Sequence, residues 1–317
     1  MLRSFFIFLS KVNWMQRLIT RWKFAWRAAS RFVAGNTVSE AIAKLRDLNE
    51  RGFNVTLDIL GESTSNTAEA LNAADQILEL LDQINRAEIR ANASIKLTQI
   101  GLALDPVLCE SNLEKILSRA RAYNNFVRID MEDSPYTDRT LDLYYRIRSK
   151  GFDNVGIVIQ AYLFRSEADV RKLLEQKTRI RLVKCAYKEP ASLAFPKKAD
   201  VDANFDHLAA LMIEAADHSG ASDGDGRFPP IPAIASHDAA RIDFVKAELN
   251  RQSLPCTTVE FQMLYGIRRD LQDQCLKEGY PVRIYVPYGT HWYAYFMRRL
   301  AERPANVWFF ISNFFRR

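Results

Sequence analysis

Through most of the chain, short apolar runs rich in β-branched residues alternate with longer amphipathic segments. Eight runs have the length of a strand: residues 54–60, 93–100, 126–131, 154–160, 179–185, 231–236, 257–263 and 282–287. Between them, residues 68–84, 110–123, 138–150, 167–177 and 238–250 place apolar side chains at helical spacing. The connection from about 186 to 230 is the longest and predicts an elaborated loop with one helix. A strand followed by a helix, eight times over, implies parallel strands joined by crossovers. Such units close into an α/β fold of the (βα)8 TIM-barrel type. A doubly wound open sheet is the alternative, but its cofactor signature is missing. The glycine cluster Gly220, Gly224 and Gly226 is not GxGxxG and precedes a strand, and no GxxxxGK[ST] occurs.

Ahead of the first strand, Thr37 and Glu40 have capping-box spacing for a helix that runs to about Arg51 and Gly52. This divides the chain into an N-terminal helical extension, residues 1–52, and a barrel, residues 53–317. Before Glu40 lie seven basic residues (Arg3, Lys11, Arg17, Arg21, Lys23, Arg27 and Arg31) and no acid, with Trp14, Trp22 and Trp26 interleaved. Leu18, Trp22, Ala25, Ala29 and Phe32 recur at helical spacing, so residues 14–33 read as a basic amphipathic helix. Such a helix suits a membrane surface, where apolar area and cations act together. Packing of the same face on the fold is the competing reading, and signal or organellar transit peptides share the pattern. The apolar run from Phe5 to Leu9 is too short to span a bilayer. A cytoplasmic protein with peripheral contact at the inner face of the cell membrane is expected, and a mitochondrial transit reading stays open.

With 317 residues, 48% of them hydrophobic, the chain can bury a large core. Cys109, Cys185, Cys256 and Cys275 form no CxxC pair, and His207, His218, His237 and His291 form no HExxH pattern. No metal centre or disulfide framework is expected.

Barrel enzymes gather their chemistry at the C-terminal ends of the strands, and here those ends are polar. In strand order they carry Asp58 and Glu62, then Lys96, Asp130, Gln160, Arg181 with Lys184, Ser236-His237-Asp238, Glu260 with Gln262, and Tyr285. A core accepts charge only when it is paired, so Lys96, Asp130 and Arg181 are expected to pair. They form either a structural plug or a site for a charged substrate and an electron-rich cofactor. Lys184 has the opposite parity to Arg181 and Val183 and joins them only if the strand ends or twists there.

The runs LDILGE (57–62), IKLTQIGL (95–102), RIDMEDSPYTD (128–138), IQAYLFR (159–165), RLVKCAY (181–187), ASHD (235–238), EFQMLYG (260–266) and YVPYGTHWYAYFMRRLAERPANV (285–307) resemble, in this order, the monofunctional bacterial proline dehydrogenase family. The resemblance spans residues 32–312. It implies a distorted (βα)8 barrel holding FAD, which oxidises L-proline to Δ1-pyrroline-5-carboxylate and passes electrons to a membrane quinone. Carried over by position, it implies that Arg298, Arg299 and Lys96 bind the proline carboxylate. Tyr285 and Tyr295 would shield the ring, Ala186 and Leu264 would line the apolar side, and Glu62 would serve a gate. Asp130 and Arg181 are the catalytic candidates. For FAD the resemblance points to Met131, Gln160, Arg181, Val183, Lys184, Ser236, His237, Gln262 and Glu302. Two positions depart from the family pattern: Cys185 stands where it has glycine, and Ser236 where threonine is commoner. Tyr285 matches the relatives that act on proline rather than hydroxyproline.

In the helix HWYAYFMRRLAERPAN (291–306), Tyr295, Arg298, Arg299 and Glu302 share one face. Adjacent arginines there offer a planar, permanently charged clamp for a carboxylate. Two rival readings are a Schiff-base lyase using Lys96 or Lys184, and a membrane or nucleic-acid binding module led by the basic N-terminus. The lyase lacks a phosphate-binding glycine loop after strands seven and eight, and the module lacks any nucleic-acid motif, so no nucleic-acid partner is expected.

Overall fold

The computed structural model describes residues 23–61, 63–185, 189–216 and 225–302. Its eight parallel strands close into a barrel in sequence order, the last hydrogen-bonded back to the first. They are β1 (Asn54–Ile59), β2 (Ala91–Ile95), β3 (Val127–Ile129), β4 (Val155–Gln160), β5 (Ile180–Val183), β6 (Pro232–Ala235), β7 (Glu260–Leu264) and β8 (Val282–Tyr288). Among the described residues two helices, α1 (Lys23–Ala29) and α2 (Val38–Glu50), precede the barrel. The outer layer comprises α3 (Thr67–Arg86), α4 (Pro106–Ala122), α5 (Ser134–Ser149), α6 (Ser166–Glu175), α7 (Lys198–Glu214), α8 (Ala239–Arg251) and α9 (Arg269–Lys277), and α10 (Trp292–Glu302) follows β8.

Local chemistry explains the ends of these elements. Thr37 caps α2 by accepting the Glu40 N–H at 3.3 Å, while the Glu40 carboxylate accepts from Asn36 N–H at 2.8 Å, one residue earlier than the usual reciprocal contact. Asn66, Asp105 and Asp238 cap α3, α4 and α8 with their side chains. Two strands differ most from the sequence expectation. The second begins at Ala91 and ends at Ile95, because Lys96 to Leu104 turn through backbone bonds such as Leu102 N–H to Leu97 O, with Gly101 at φ 113°. The seventh starts at Glu260 instead of Thr257, because Cys256–Thr258 forms a 3₁₀ turn closed by Thr258 N–H on Pro255 O.

Strand alternation divides the residues cleanly. Val55, Leu57, Ala93, Ile129, Ile157, Leu182, Ile234, Phe261, Ile284 and Val286 face the helices and belong to one continuous buried core. Each large aliphatic buried there contributes about 1.5–3 kcal/mol. The α2 residues Ala41, Ile42, Leu45 and Leu48 belong to the same core. The opposite parity lines the barrel axis, and here it is polar. Thr56 sits level with Asn92 and Tyr285, Ser94 with Arg128, and Gln262 with Arg283. At the bottom, Arg283 and Glu260 form an ion pair at 2.7 Å with side chains 1% and 0% exposed. Arg283 also donates to Gly226 O at 2.7 Å. Gly226, at φ 68°, admits no side chain, since a Cβ would lie 2.1 Å from Asn54 Oδ1.

A second cluster lies at the other end, where the C-termini of the strands open. Ala25, Ala29, Phe32 and Val33 pack on Trp292, Tyr293, Tyr295, Phe296, Met297 and Leu300 of α10. The Trp26 and Trp292 rings are 5.5 Å apart, and Phe32 and Phe296 6.3 Å. Backbone bonds fasten the segment: Ala34 N–H to Pro287 O and Gly289 N–H to Gly35 O, both 2.9 Å. The described part of the expected 14–33 helix thus packs on the fold, and residues 1–22 lie outside the described residues. Among the described residues no helix is long and apolar enough to cross a membrane, and no His, Cys, Asp and Glu cluster could hold a metal ion.

Candidate active site

Asp130, just past β3, is the hub of the polar end of the barrel. Its Oδ1 accepts from Ser94 Oγ at 2.7 Å and from Arg181 Nη1 at 2.9 Å, and its Oδ2 accepts from the Tyr285 hydroxyl at 2.7 Å. Arg181 is 4% exposed. Its Nε donates to Gln262 Oε1 at 2.5 Å, and its guanidinium lies 5.2 Å from the centre of the Tyr285 ring. Gln262 in turn donates to Glu260 Oε1 at 2.6 Å, which ties the site to the ion pair below. Lys96 Nζ stands 3.7 Å from Asp130 Oδ2 but only 2.7 Å from Asp58 Oδ1. The expected pairing of Lys96, Asp130 and Arg181 is therefore present, with Asp58 as the nearer partner of the lysine. Burial, and after it the charges of Asp130 and Asp58, push the Tyr285 phenol well above its usual range, so it stays a hydrogen-bond donor.

The residues expected at the cofactor fall into two groups. Gln160, 2% exposed at the end of β4, donates to Met131 O at 3.3 Å and Glu132 O at 3.0 Å. Its Oε1 has no partner among the described residues. Met131 is buried, and Val183 ends β5 half-buried. Ser236 Oγ accepts from Asp238 N–H at 3.1 Å. His237 Nε2 accepts the Leu264 N–H at 2.9 Å, which fixes its ring against β7. Lys184 stands apart from Arg181. Although β5 ends at Val183, Lys184 keeps the outward direction of its parity and pairs with Asp202 and, at 2.6 Å, with Asp238. That ammonium holds the Asp238 carboxyl below its usual range.

On α10, Tyr295 is 6% exposed and Arg299 lies over its ring at 5.0 Å from the centroid, while Arg298 is exposed. Leu264 packs half-buried against the same aromatic cluster. Glu62, Ala186 and the side chain of Glu302 lie outside the described residues.

Several groups had no role assigned from the sequence, and Glu260, expected among the C-terminal strand ends, instead starts β7 at the bottom of the barrel. Asp58 and Glu260 were visible as carboxylates on inward-facing strand positions, but their partners depend on the register between strands. Ser94 shares its parity with Lys96 and binds both Asp130 and Arg181. Arg128 is 1% exposed, donates to the Ile157 and Arg179 carbonyls, and leaves Nε and Nη2 without a partner among the described residues. Only the arginine in an otherwise β-branched run marked it.

A closed parallel barrel whose strands aim charged side chains at one end defines a TIM-type barrel enzyme. The proline dehydrogenase family profile matches residues 41–311. Over 316 residues the chain is 40% identical to proline dehydrogenase 1 of Bacillus subtilis, covering 99% of each chain. It is 39% identical to the proline dehydrogenase of Deinococcus radiodurans, over 91% of this chain and 90% of that one. Among solved structures, proline utilization A from Bdellovibrio bacteriovorus, inactivated by N-propargylglycine, superposes with a TM-score of 0.77 at 26% identity. That match covers 88% of this chain and 33% of the larger protein. The chain belongs to the proline dehydrogenase family.

Proposed function

We propose that the chain oxidises L-proline to Δ1-pyrroline-5-carboxylate with FAD as the immediate acceptor and a membrane quinone as the next. The observation that carries this reading is the convergence of Lys96, Arg181 and Tyr285, from three parts of the barrel, on the single carboxylate of Asp130. Relatives named proline dehydrogenase over nearly the full length support the substrate.

The residues present fit a flavin. Gln160 Oε1 is a buried acceptor without a partner among the described residues, suited to a ring N–H, and Arg181 is a rigidly held cation suited to the charge a reduced ring acquires. Met131, Gln160, Arg181, Val183, Lys184, Ser236, His237, Gln262 and Glu302 would hold the cofactor. Bound FAD supplies the acceptor for a hydride from the ring carbon beside the substrate nitrogen.

The remaining roles belong to the chain. Arg298 and Arg299 grip the substrate carboxylate as planar forks, with Lys96 as a third cation. Tyr285 and Tyr295 cover the ring, Leu264 and Ala186 form its apolar wall, and Glu62 closes the entrance. Fixing the substrate in line with its acceptor is the main contribution to rate. The same cations disfavour the substrate's ammonium form and so ease loss of the proton that must leave before the hydride. Asp130 anchors Arg181 and Tyr285 and keeps the cations apart.

Both lysines of the Schiff-base alternative sit against carboxylates, Lys96 on Asp58 and Lys184 on Asp238, the wrong neighbourhood for a nucleophilic amine. The basic N-terminal segment is the part suited to an anionic lipid surface, on the cytoplasmic side, where the quinone would be met. Two measurements test this reading. Visible flavin absorption of the purified protein should bleach when L-proline is added. Arg298→Met and Arg299→Met should each raise KM for proline by at least about tenfold, the worth of a charged hydrogen bond. A colourless protein, or wild-type KM in both variants, overturns it.

A further inference from the structure

We propose that Asp58 sets the charge of the substrate pocket, offsetting Lys96 so that the cationic end of the barrel holds a carboxylate loosely enough to release it. This rests on the reading that the substrate carboxylate lies against Lys96 and the arginine pair.

Asp58 is an inward-facing residue near the end of β1 and is 3% exposed, so it serves no surface purpose. Its Oδ1 is 2.7 Å from Lys96 Nζ, whereas Asp130 is 3.7 Å away and already engaged by Ser94, Arg181 and Tyr285. Among the described residues Asp58 is thus the carboxylate nearest to Lys96. The charged and titratable groups around it are Lys96 and Asp130, the Tyr285 hydroxyl on β8, and Tyr288, whose phenol feels the Asp58 charge. Glu132, which caps Thr98 through its side chain and backbone N–H, adds a carboxylate beyond Lys96 and Asp130.

The ionised form of Asp58 costs stability. Burial raises its carboxyl above the usual range, Lys96 offsets this only in part, and Asp130 adds to it. Because the folded value lies above the unfolded one, the cost is present in full above the folded value, shrinks as pH falls below it and is gone below the unfolded value. An asparagine of the same shape would accept the same Lys96 proton without that cost, so what the carboxylate adds over an amide is charge. With Asp58 ionised, Asp58, Lys96, Asp130 and Arg181 sum to zero. Without it the pocket gains one positive charge. Substrate and product are both carboxylates, so that charge would tighten the hold on both.

The test compares wild-type holoenzyme with Asp58→Asn, using as probe a saturated five-membered ring carboxylate that lacks the amine. The inhibition constant should fall about tenfold in the variant, as expected for one uncompensated charge in a partly screened site. The acid limb of kcat should move to lower pH, because the added cation disfavours the ammonium form of bound substrate. Thermal stability at neutral pH should be no lower than wild type. Unchanged or weaker probe binding overturns the proposal. Should Asp58→Asn fail to retain flavin, the comparison moves to Lys96→Met, in which Asp58 is left without its lysine. There Lys96→Met with Asp58→Asn should bind the probe more tightly than Lys96→Met alone, and equal or weaker binding overturns the proposal. A wild-type protein that fails to oxidise L-proline overturns the proposed function instead, which keeps the two failures distinct.

Discussion

Inside the barrel, Glu260, Arg283, Gln262, Arg181 and Asp130 form a chain of charged and polar contacts of 2.5–2.9 Å, shielded from water. At the mouth, α10 is held by aromatic and aliphatic faces: Trp26 on Trp292, Phe32 on Phe296, and Leu300 beside Ala25 and Ala29. Both regions serve the same pocket, yet they tolerate change differently. A hydrogen-bonded charge has one acceptable neighbour in one geometry, and its loss leaves the partner stranded. An apolar seam loses area in proportion to what is removed and repacks around the rest. The inner chain therefore fixes where Arg181 points, and the outer seam fixes how closely α10 approaches.

The sharpest way to break this contrast is at the bottom of the barrel. Glu260→Gln removes the charge that Arg283 faces at 2.7 Å in full burial, and it disturbs the acceptor of Gln262. The expected loss is about 3–5 kcal/mol in urea unfolding, the cost of a buried ion left alone. A loss below about 1 kcal/mol would mean that water reaches this end and that the interior is no more demanding than the surface.

The two regions were also unequally legible in the sequence. Eight apolar runs lie within a few residues of the observed strands, because sheet-facing and helix-facing requirements are both local. Strand parity also placed Lys96, Asp130 and Arg181 at one end. Parity does not say how far one strand slides along the next, and that slide decides that Lys96 meets Asp58 more closely than Asp130. It also set Lys184 against joining Arg181 unless the strand ended or twisted there; β5 does end at Val183, and Lys184 nevertheless follows its parity outward to Asp202 and Asp238. The seam was legible only as one of two readings. The apolar stripe of the N-terminal helix is equally suited to lipid or to protein, and only tertiary packing shows that residues 25–33 lie on α10. Gly266 marks how tight that docking is, since a Cβ there would lie 1.9 Å from Arg31 O.

A smaller effect sharpens the comparison from the outer side. Trp26 is half-buried against Trp292, so Trp26→Ala should cost about 2 kcal/mol of stability. Because α10 carries Arg298 and Arg299, KM for proline should rise by about threefold to tenfold, while kcat and flavin content stay near wild type. Trp26→Phe should restore most of the loss. An unchanged KM in a destabilised Trp26→Ala protein would reduce α1 to a cover with no bearing on the site.

The smallest effect is expected just past β5, at the end of the strand that carries Arg181. Cys185 follows Lys184 at φ 94°, a backbone conformation that only glycine adopts without strain. Holding a side chain there costs about 1–3 kcal/mol, and it is tolerated because Tyr162 N–H binds Lys184 O and Ala161 N–H binds Val183 O, fixing the chain that leads into it. Glycine would remove the strain but give the unfolded chain more freedom, a loss of about 0.4–1 kcal/mol. The balance favours Cys185→Gly by about 1 kcal/mol, a rise of about 2 °C in Tm for a protein of this size. Cys185→Ala separates the causes, since it keeps the strained Cβ and drops only the sulfur. If Ala stabilises as much as Gly, the thiol and its packing beside Tyr162 and Ala194 are at fault and the backbone is not. If Gly alone stabilises, the strain is in the backbone, held in place by the same hydrogen bonds that end β5 beside Arg181.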